Sequence, residues 1–173
     1  MEDNYDVSKL IKGKKKKINS KSKGNRFERN IVDFLNERFK TTEFCRTPGS
    51  GAFATSHNLP EYMKIYGDLI TPKNFKYCLE LKSGYNKESV ESLFNPKSQL
   101  RQFIVQAERD AEKSKKEFIL ILKQNNKEPV CLMNKTLQLE IELKMQCILW
   151  QKYMLVQLKD LFSLSDWFFL GYT

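Results

Sequence analysis

The chain has 173 residues, which suits one globular domain with a hydrophobic core and a short extension. Hydrophobic residues make up 40% and charged residues 29%, so a wholly disordered chain is excluded. The net charge of +9 indicates a polyanionic partner, either nucleic acid or an anionic membrane surface.

The positions of the cysteines do not fit a small protein stabilised by zinc or by disulfide bonds. They are far apart in a chain with one histidine, so we expect neither a zinc site nor a disulfide framework; they are Cys45, Cys78, Cys131 and Cys147. No apolar stretch is long enough to span a membrane, and the N-terminus lacks the core of a signal peptide. We therefore expect a soluble protein of the cytoplasm.

The basic charge is concentrated at the N-terminus. Residues 1–26 carry nine basic and three acidic residues, so they hold +6 of the net charge. A run such as KGKKKKINSKSKG repels itself and has almost nothing apolar to bury. We predict a flexible basic arm over residues 1–23, which either binds phosphates or only raises solubility, and a single domain over residues 24–173.

From residue 24 onwards the hydrophobic pattern predicts an α/β domain. Phe27, Ile31 and Leu35 recur at helical spacing in a helix over 24–39. A short strand over 42–46 and an irregular stretch follow, and then two strands, 66–71 and 75–82, in a hairpin through Pro72-Lys73-Asn74. The remaining elements are a helix over 96–116, strands over 117–123, 129–133, 146–150 and 153–157, and an apolar tail helix over 158–170. This order predicts a mixed central β-sheet flanked by helices.

Charged residues on the predicted hairpin are candidates for a catalytic site. Side chains alternate across a strand, so Glu80 and Lys82 share one face, which is either catalytic or simply solvated. With a loop of three residues, Asp68 lies opposite Cys78 on that face, where its carboxylate can meet that of Glu80. A loop one residue longer or shorter would turn Asp68 to the other face.

A third carboxylate lies on the first helix. Glu28 falls inside the apolar stripe, where an unpaired charge would be costly to bury. Three interpretations follow: Glu28 pairs with a basic residue at the core, it extends to solvent at the rim, or it reaches a metal ion or a metal-bound water at the sheet.

These residue types suit the hydrolysis of a phosphodiester. Carboxylates at Asp68 and Glu80 are hard oxygen ligands for Mg²⁺, with Mn²⁺ able to substitute. The ion would polarise a phosphate oxygen and activate water, while Lys82 would orient that water or stabilise the charge on the phosphate.

In this order the residues resemble the PD-(D/E)XK nuclease motif: Glu28 on the first helix, then Gly67-Asp68, then Glu80-Leu81-Lys82 on the next strand. The usual proline before the aspartate is Gly67 here. Two further stretches are similar to the archaeal-type Holliday junction resolvases and their phage relatives. They are Lys23-Gly24-Asn25-Arg26-Phe27-Glu28-Arg29, at the opening of the first helix, and Arg46-Thr47-Pro48-Gly49-Ser50-Gly51-Ala52, an arginine followed by a Gly-Ser-Gly loop.

The resemblance implies a restriction-endonuclease-like fold and a homodimer that nicks opposed strands of a four-way DNA junction. It implies that Asp68 and Glu80 hold Mg²⁺, that Glu28 completes the metal site, and that Lys82 assists catalysis. The residues assigned to DNA binding are Arg46 and Ser50, on a loop that touches the scissile backbone, and Lys23 and Arg26 at the opening of the first helix. A glutamine of the second helix also occurs near such sites, and the candidates are Gln102 and Gln106.

Other functions remain open at the level of sequence. The same fold serves restriction, repair and nicking endonucleases, and a catalytically inactive DNA-binding relative would share its surface. A membrane-surface protein recruited by its basic arm would leave the catalytic-type residues unexplained, so we expect no membrane partner. The apolar tail either caps the core or forms a dimer contact.

Overall fold

The computed structural model describes residues 20–48, 65–135 and 146–171. Helix α1, Ser20–Phe39, buries Phe27, Ile31 and Leu35 as predicted. It begins four residues before the predicted start at residue 24, because serine and lysine cost little in a helix and do not stop it. The rest of the predicted arm, residues 1–19, lies outside the described residues.

A five-stranded mixed sheet forms the centre of the domain. Its strands, in spatial order, are β3 Tyr77–Ser83, β4 Glu117–Lys123, β5 Val130–Asn134, β7 Tyr153–Gln157 and β6 Cys147–Trp150. β3 and β4 are parallel, as expected for strands connected by a helix, here α2 Gln99–Ser114, and the other neighbouring pairs are antiparallel. A short 3₁₀ helix, Val90–Phe94, precedes α2. β3 is therefore an edge strand of this sheet.

The two faces of the sheet pack on different helices. Leu79 and Leu81 of β3 join the core cluster of α1 and the C-terminal tail, whereas Cys78 joins the cluster of α2. α2 contributes four buried residues spaced along one side: Leu100, Ile104, Ala107 and Ala111. The alternation along β3 follows from the period of two in a strand, and it confirms that Glu80 and Lys82 share the α2 face with Cys78.

The predicted hairpin is wrong. β2 is only Leu69–Ile70, and it pairs with β1, Cys45–Arg46, in a separate two-stranded sheet. The turn does form, since the N–H of Phe75 donates to Pro72 O at 3.0 Å, but Phe75 then bridges to Leu170 of the tail. The tail thus lies beside Phe75, where Thr71, the last residue before the three-residue loop, would lie in the predicted hairpin.

The apolar tail caps the core. Instead of one helix over 158–170 it forms two short ones, α3 Leu158–Leu161 and α4 Asp166–Phe169, and Phe168 and Phe169 are fully buried. Arg38 of α1 fixes the turn between them by donating to Phe162 O and Leu164 O, both at 2.6 Å. In the described ranges no helix is both long and apolar enough to cross a bilayer.

Candidate active site

The position of Asp68 depends on the residue before it. Gly67 has a φ of +78°, and a Cβ there would stand 2.7 Å from Leu79 O. Glycine is favoured in this left-handed conformation, whereas proline is locked near −65° and cannot adopt it. The close approach lets the N–H of Asp68 donate to Leu79 O at 2.8 Å. Asp68 is therefore bonded to the residue after Cys78, which the prediction had placed opposite it.

The carboxylate of Asp68 bonds the open edge of β3. Its Oδ2 accepts a hydrogen bond from the N–H of Leu81 at 2.7 Å. Thr47, which is buried, holds the same segment from the other side, because its N–H donates to Asp68 O at 3.0 Å and its hydroxyl donates to Gly67 O at 3.1 Å. The sequence offered no signal for this role of Thr47, whose partners lie about twenty residues away.

Glu80 is a buried carboxylate with two polar partners. Its side chain is 2% exposed, and Oε1 accepts a hydrogen bond from Gln106 Nε2 at 2.7 Å and lies 2.5 Å from Lys82 Nζ. Gln106 is the candidate glutamine of α2 that reaches the site, whereas Gln102 is exposed one turn earlier. Burying a charge without such partners would be strongly unfavourable.

The pKa values of Asp68 and Glu80 are both raised above their ordinary values. Burial raises the pKa of Glu80 to about 7, with a further contribution from the charge of Asp68, and Lys82 opposes the shift. Burial also raises the pKa of Asp68, although the Leu81 N–H and Lys82 lower it. Asp110 of α2, which the sequence did not single out, adds to both increases.

Lys82 is held in its charged form. Burial alone would lower its pKa, but the carboxylates of Glu80 and Asp68 outweigh burial and raise it. The ammonium is therefore a fixed positive charge beside two acids.

Glu28 is bound to Arg46. Its Oε2 lies 2.7 Å from Arg46 Nε and 2.6 Å from an Arg46 terminal nitrogen, which also donates to Asn25 Oδ1 at 3.0 Å. The pairing with a basic residue, one of the interpretations that the sequence left open, is therefore present. Glu28 is still near enough to Asp68 for its charge to raise the pKa of that carboxyl.

The other candidates for DNA binding lie at the start of α1 or outside the described residues. Lys23 Nζ donates to Asn125 Oδ1 in the segment after β4, and Arg26 is exposed on α1. Ser50 lies outside the described residues.

Two comparisons with known proteins bear on this arrangement. The model of the family described as "Phage putative PDDEXK endonuclease" matches residues 19–168. The chain belongs to this family. Protein D14 of Escherichia phage T5 is 36% identical to it over 114 residues, which are 62% of this chain and 66% of the relative, just under two thirds of its length. No solved structure gives a significant match.

Membership in the phage PDDEXK endonuclease family confirms the predicted restriction-endonuclease-like fold and the general prediction of a nuclease. The matched range contains all four residues predicted to be catalytic: Glu28, Asp68, Glu80 and Lys82. Membership in the family identifies neither the substrate nor the metal ion.

The donor set fits a hard divalent cation. Asp68 and Glu80 offer carboxylate oxygens, and the charge of Asp68 raises the pKa of Glu80, so a cation near both would relieve a repulsion that burial strengthens. In the described parts of the chain no three acidic, histidine or cysteine side chains are arranged to hold a metal ion together. Glu28 is paired with Arg46 in this arrangement, and its part in the metal site stays a prediction.

Proposed function

We propose that this member of the phage PDDEXK family is a divalent-metal-dependent DNA endonuclease with its catalytic site at Asp68, Glu80 and Lys82. The observation that supports this most is that the charge of Asp68 raises the pKa of the buried Glu80 beside one lysine, on the edge strand β3. Perturbed carboxyl groups grouped around a fixed cation are typical of a functional site.

Each residue has a distinct task in this proposal. Asp68 and Glu80 hold the cation, for which we propose Mg²⁺ with Mn²⁺ as a substitute. When bound, such an ion supplies Lewis-acid polarisation of the phosphate and activation of water. Lys82 places its ammonium where it stabilises negative charge that develops on the phosphate. Gln106 orients the carboxylate of Glu80 through its hydrogen bond at 2.7 Å.

Glu28 and Arg46 act as a pair in the same proposal. The ion pair keeps the guanidinium beside the acidic centre, where an arginine can bind a phosphate of the cleaved strand. Lys23 and Arg26 at the start of α1 would extend this contact along the DNA backbone.

For the substrate we propose a four-way DNA junction, cut symmetrically by a homodimer. This finer proposal is supported by the resemblance of residues 23–29 and 46–52 to the Holliday junction resolvases. Another PD-(D/E)XK endonuclease activity, acting on duplex DNA, is the alternative that family membership equally fits.

The test is a cleavage assay on synthetic four-way junctions and on matched duplexes, with Mg²⁺, with Mn²⁺ and with EDTA. We expect cutting that requires the cation, and Asp68→Asn should reduce it at least about 100-fold while DNA binding persists, because the substitution removes a proposed metal ligand. Asp33→Asn, at an exposed position of α1, is the matched control and should cut normally.

Retained cutting in Asp68→Asn would overturn the site assignment. Equal rates on junction and duplex would overturn the junction as substrate and leave the endonuclease in place.

A further inference from the structure

A cavity of about 820 Å³ opens beside Lys82. It is lined by residues of α2, β4 and β6 and by the segment that follows β3. A volume between about 300 and 1,000 Å³ is usual for pockets that hold small organic groups. Because Lys82 contacts Glu80 and also lines the cavity, this space adjoins the proposed catalytic centre directly.

An aromatic pair forms one wall of the cavity. The rings of Tyr85 and Phe103 meet edge to face, with centroids 4.6 Å apart. Lys82 Nζ lies 5.1 Å from the centroid of Phe103 and 2.5 Å from Glu80 Oε1. One ammonium therefore connects the buried carboxylate to the aromatic wall, and Tyr85, 37% exposed, remains accessible from solvent.

The charges around the cavity do not make a phosphate site. Among the described residues that line it, lysines and glutamates are equal in number: Lys82, Lys123, Lys127, Glu88, Glu91 and Glu128. A phosphate would gain little from such a balanced lining, whereas a flat group with a π face would gain from the aromatic and aliphatic walls. The ligand class that this wall favours is a nucleobase.

The DNA backbone has a route to the same place. Lys23, at the start of α1, donates to Asn125 in the segment after β4 and lies close to Gly84, which follows β3. These two segments also supply Tyr85 and Gln124 to the lining of the cavity. A strand whose phosphates follow Lys23 and Lys82 would thus bring its bases to the aromatic wall.

We propose that the ring of Tyr85, held edge to face by Phe103, stacks on a nucleobase that has left the duplex next to the scissile phosphate. The enzyme then prefers DNA in which that nucleotide is unpaired or easily unstacked, as at a branch point or a bulge, because removing a paired base from the stack costs free energy. This inference rests on the proposed endonuclease function and specifies the substrate of that site.

The experiment uses the full chain and a DNA duplex with a branch or bulge that carries 2-aminopurine. The cleavage site is first mapped in the presence of Mg²⁺, and the 2-aminopurine is then placed at the unpaired nucleotide next to that site. If the protein does not cleave the DNA, the 2-aminopurine is placed at each unpaired position in turn. Fluorescence is read in EDTA. We expect quenching on binding, retained in Tyr85→Phe and lost in Tyr85→Leu, with rates measured in parallel.

Cleavage gives the second readout. The preference for bulged over fully paired DNA should fall roughly tenfold in Tyr85→Leu, in line with the loss of one base–aromatic stack. The paired duplex, in which that base stays in the stack and does not reach Tyr85, supplies the reference rate for each variant. Trp167→Leu is the matched control, since Trp167 is an exposed aromatic of α4 that does not line the cavity, and it should leave both readouts unchanged.

The outcomes separate the two proposals. Cleavage without a 2-aminopurine response, or an unchanged preference in Tyr85→Leu, overturns the base site alone. Quenching that depends on Tyr85 in a protein that never cuts DNA supports the base site and overturns the endonuclease. A protein that does not bind either DNA overturns both.

Discussion

Replacing Glu80 with glutamine should stabilise the cation-free protein at alkaline pH. Burial raises the pKa of Glu80 from an ordinary 4.5 to about 7, so the folded protein holds the proton more tightly than the unfolded chain does. This contribution to stability is complete below about pH 4.5 and is lost as the pH rises through 7. Each unit by which the pKa is raised corresponds to roughly 1.4 kcal/mol, so ionising this carboxyl costs the folded state about 3 kcal/mol.

Glutamine imitates the protonated acid, so it should escape that cost. Its amide oxygen can still accept from Gln106 and Lys82, as Glu80 Oε1 does. The pKa of about 7 for Glu80 already includes the attraction of Lys82, so the cost of about 3 kcal/mol is what remains after this ion pair has stabilised the carboxylate. We expect Glu80→Gln to match the wild type near pH 4.5 and to exceed it by about 3 kcal/mol at pH 8.5.

Urea denaturation in EDTA between pH 4.5 and 8.5 measures this difference. Glu112→Gln, at an exposed position on α2, controls for the loss of one negative charge and should follow the wild type throughout. If the stability curves of Glu80→Gln and wild type stay parallel over this range, the carboxylate is not strained and the reasoning fails.

Two further predictions follow from the same site. Gly67→Ala should destabilise the fold by about 1–3 kcal/mol, because alanine is strained at a φ of +78° and its Cβ would meet Leu79 O, and it should also displace Asp68 and reduce cutting. Gly24→Ala is the matched control: it lies in α1 with nothing within 4 Å of an added Cβ, so calorimetry should show a gain of up to about 1 kcal/mol, and equal effects of the two would contradict the role of Gly67. Mg²⁺ should raise the melting temperature of the wild type more at pH 8 than at pH 5.5, because protons compete for the carboxylates, and should not raise that of Asp68→Asn; a shift independent of pH would place the ion elsewhere.

Elements with a strong local pattern could be predicted from the sequence. The strands over 117–123 and 153–157 were predicted at their observed bounds, because each is a continuous apolar run that the sheet buries. The helix predicted over 24–39 ends where predicted and only begins one turn earlier, at Ser20. In these cases the period of the pattern and the environment agree, so local information is sufficient.

The partners of the site residues could not be predicted in the same way. The sequence marks Glu28 as a charge inside an apolar stripe, but its partner Arg46 is 18 residues away and is found only once β1 is placed beside α1. Gln106 is 26 residues from Glu80 and looks like a surface residue on a helical wheel. It reaches the carboxylate because its neighbour Ala107 is small and buried against the sheet.

The failure of the hairpin prediction has a functional reason. A regular antiparallel ladder on β3 would have bonded the outer N–H of Leu81, one of the groups that an edge strand leaves unpaired, to a backbone carbonyl. The chain instead turns at Gly67 and gives that N–H to the carboxylate of Asp68, while the tail pairs with Phe75 at the other end of the strand. A sequence rule broken at one point is expected where function demands a special geometry. Because the same hydrogen bond satisfies the sheet edge and fixes an acid beside Glu80, extending β2 into a full hairpin would remove the arrangement on which the proposed catalysis depends.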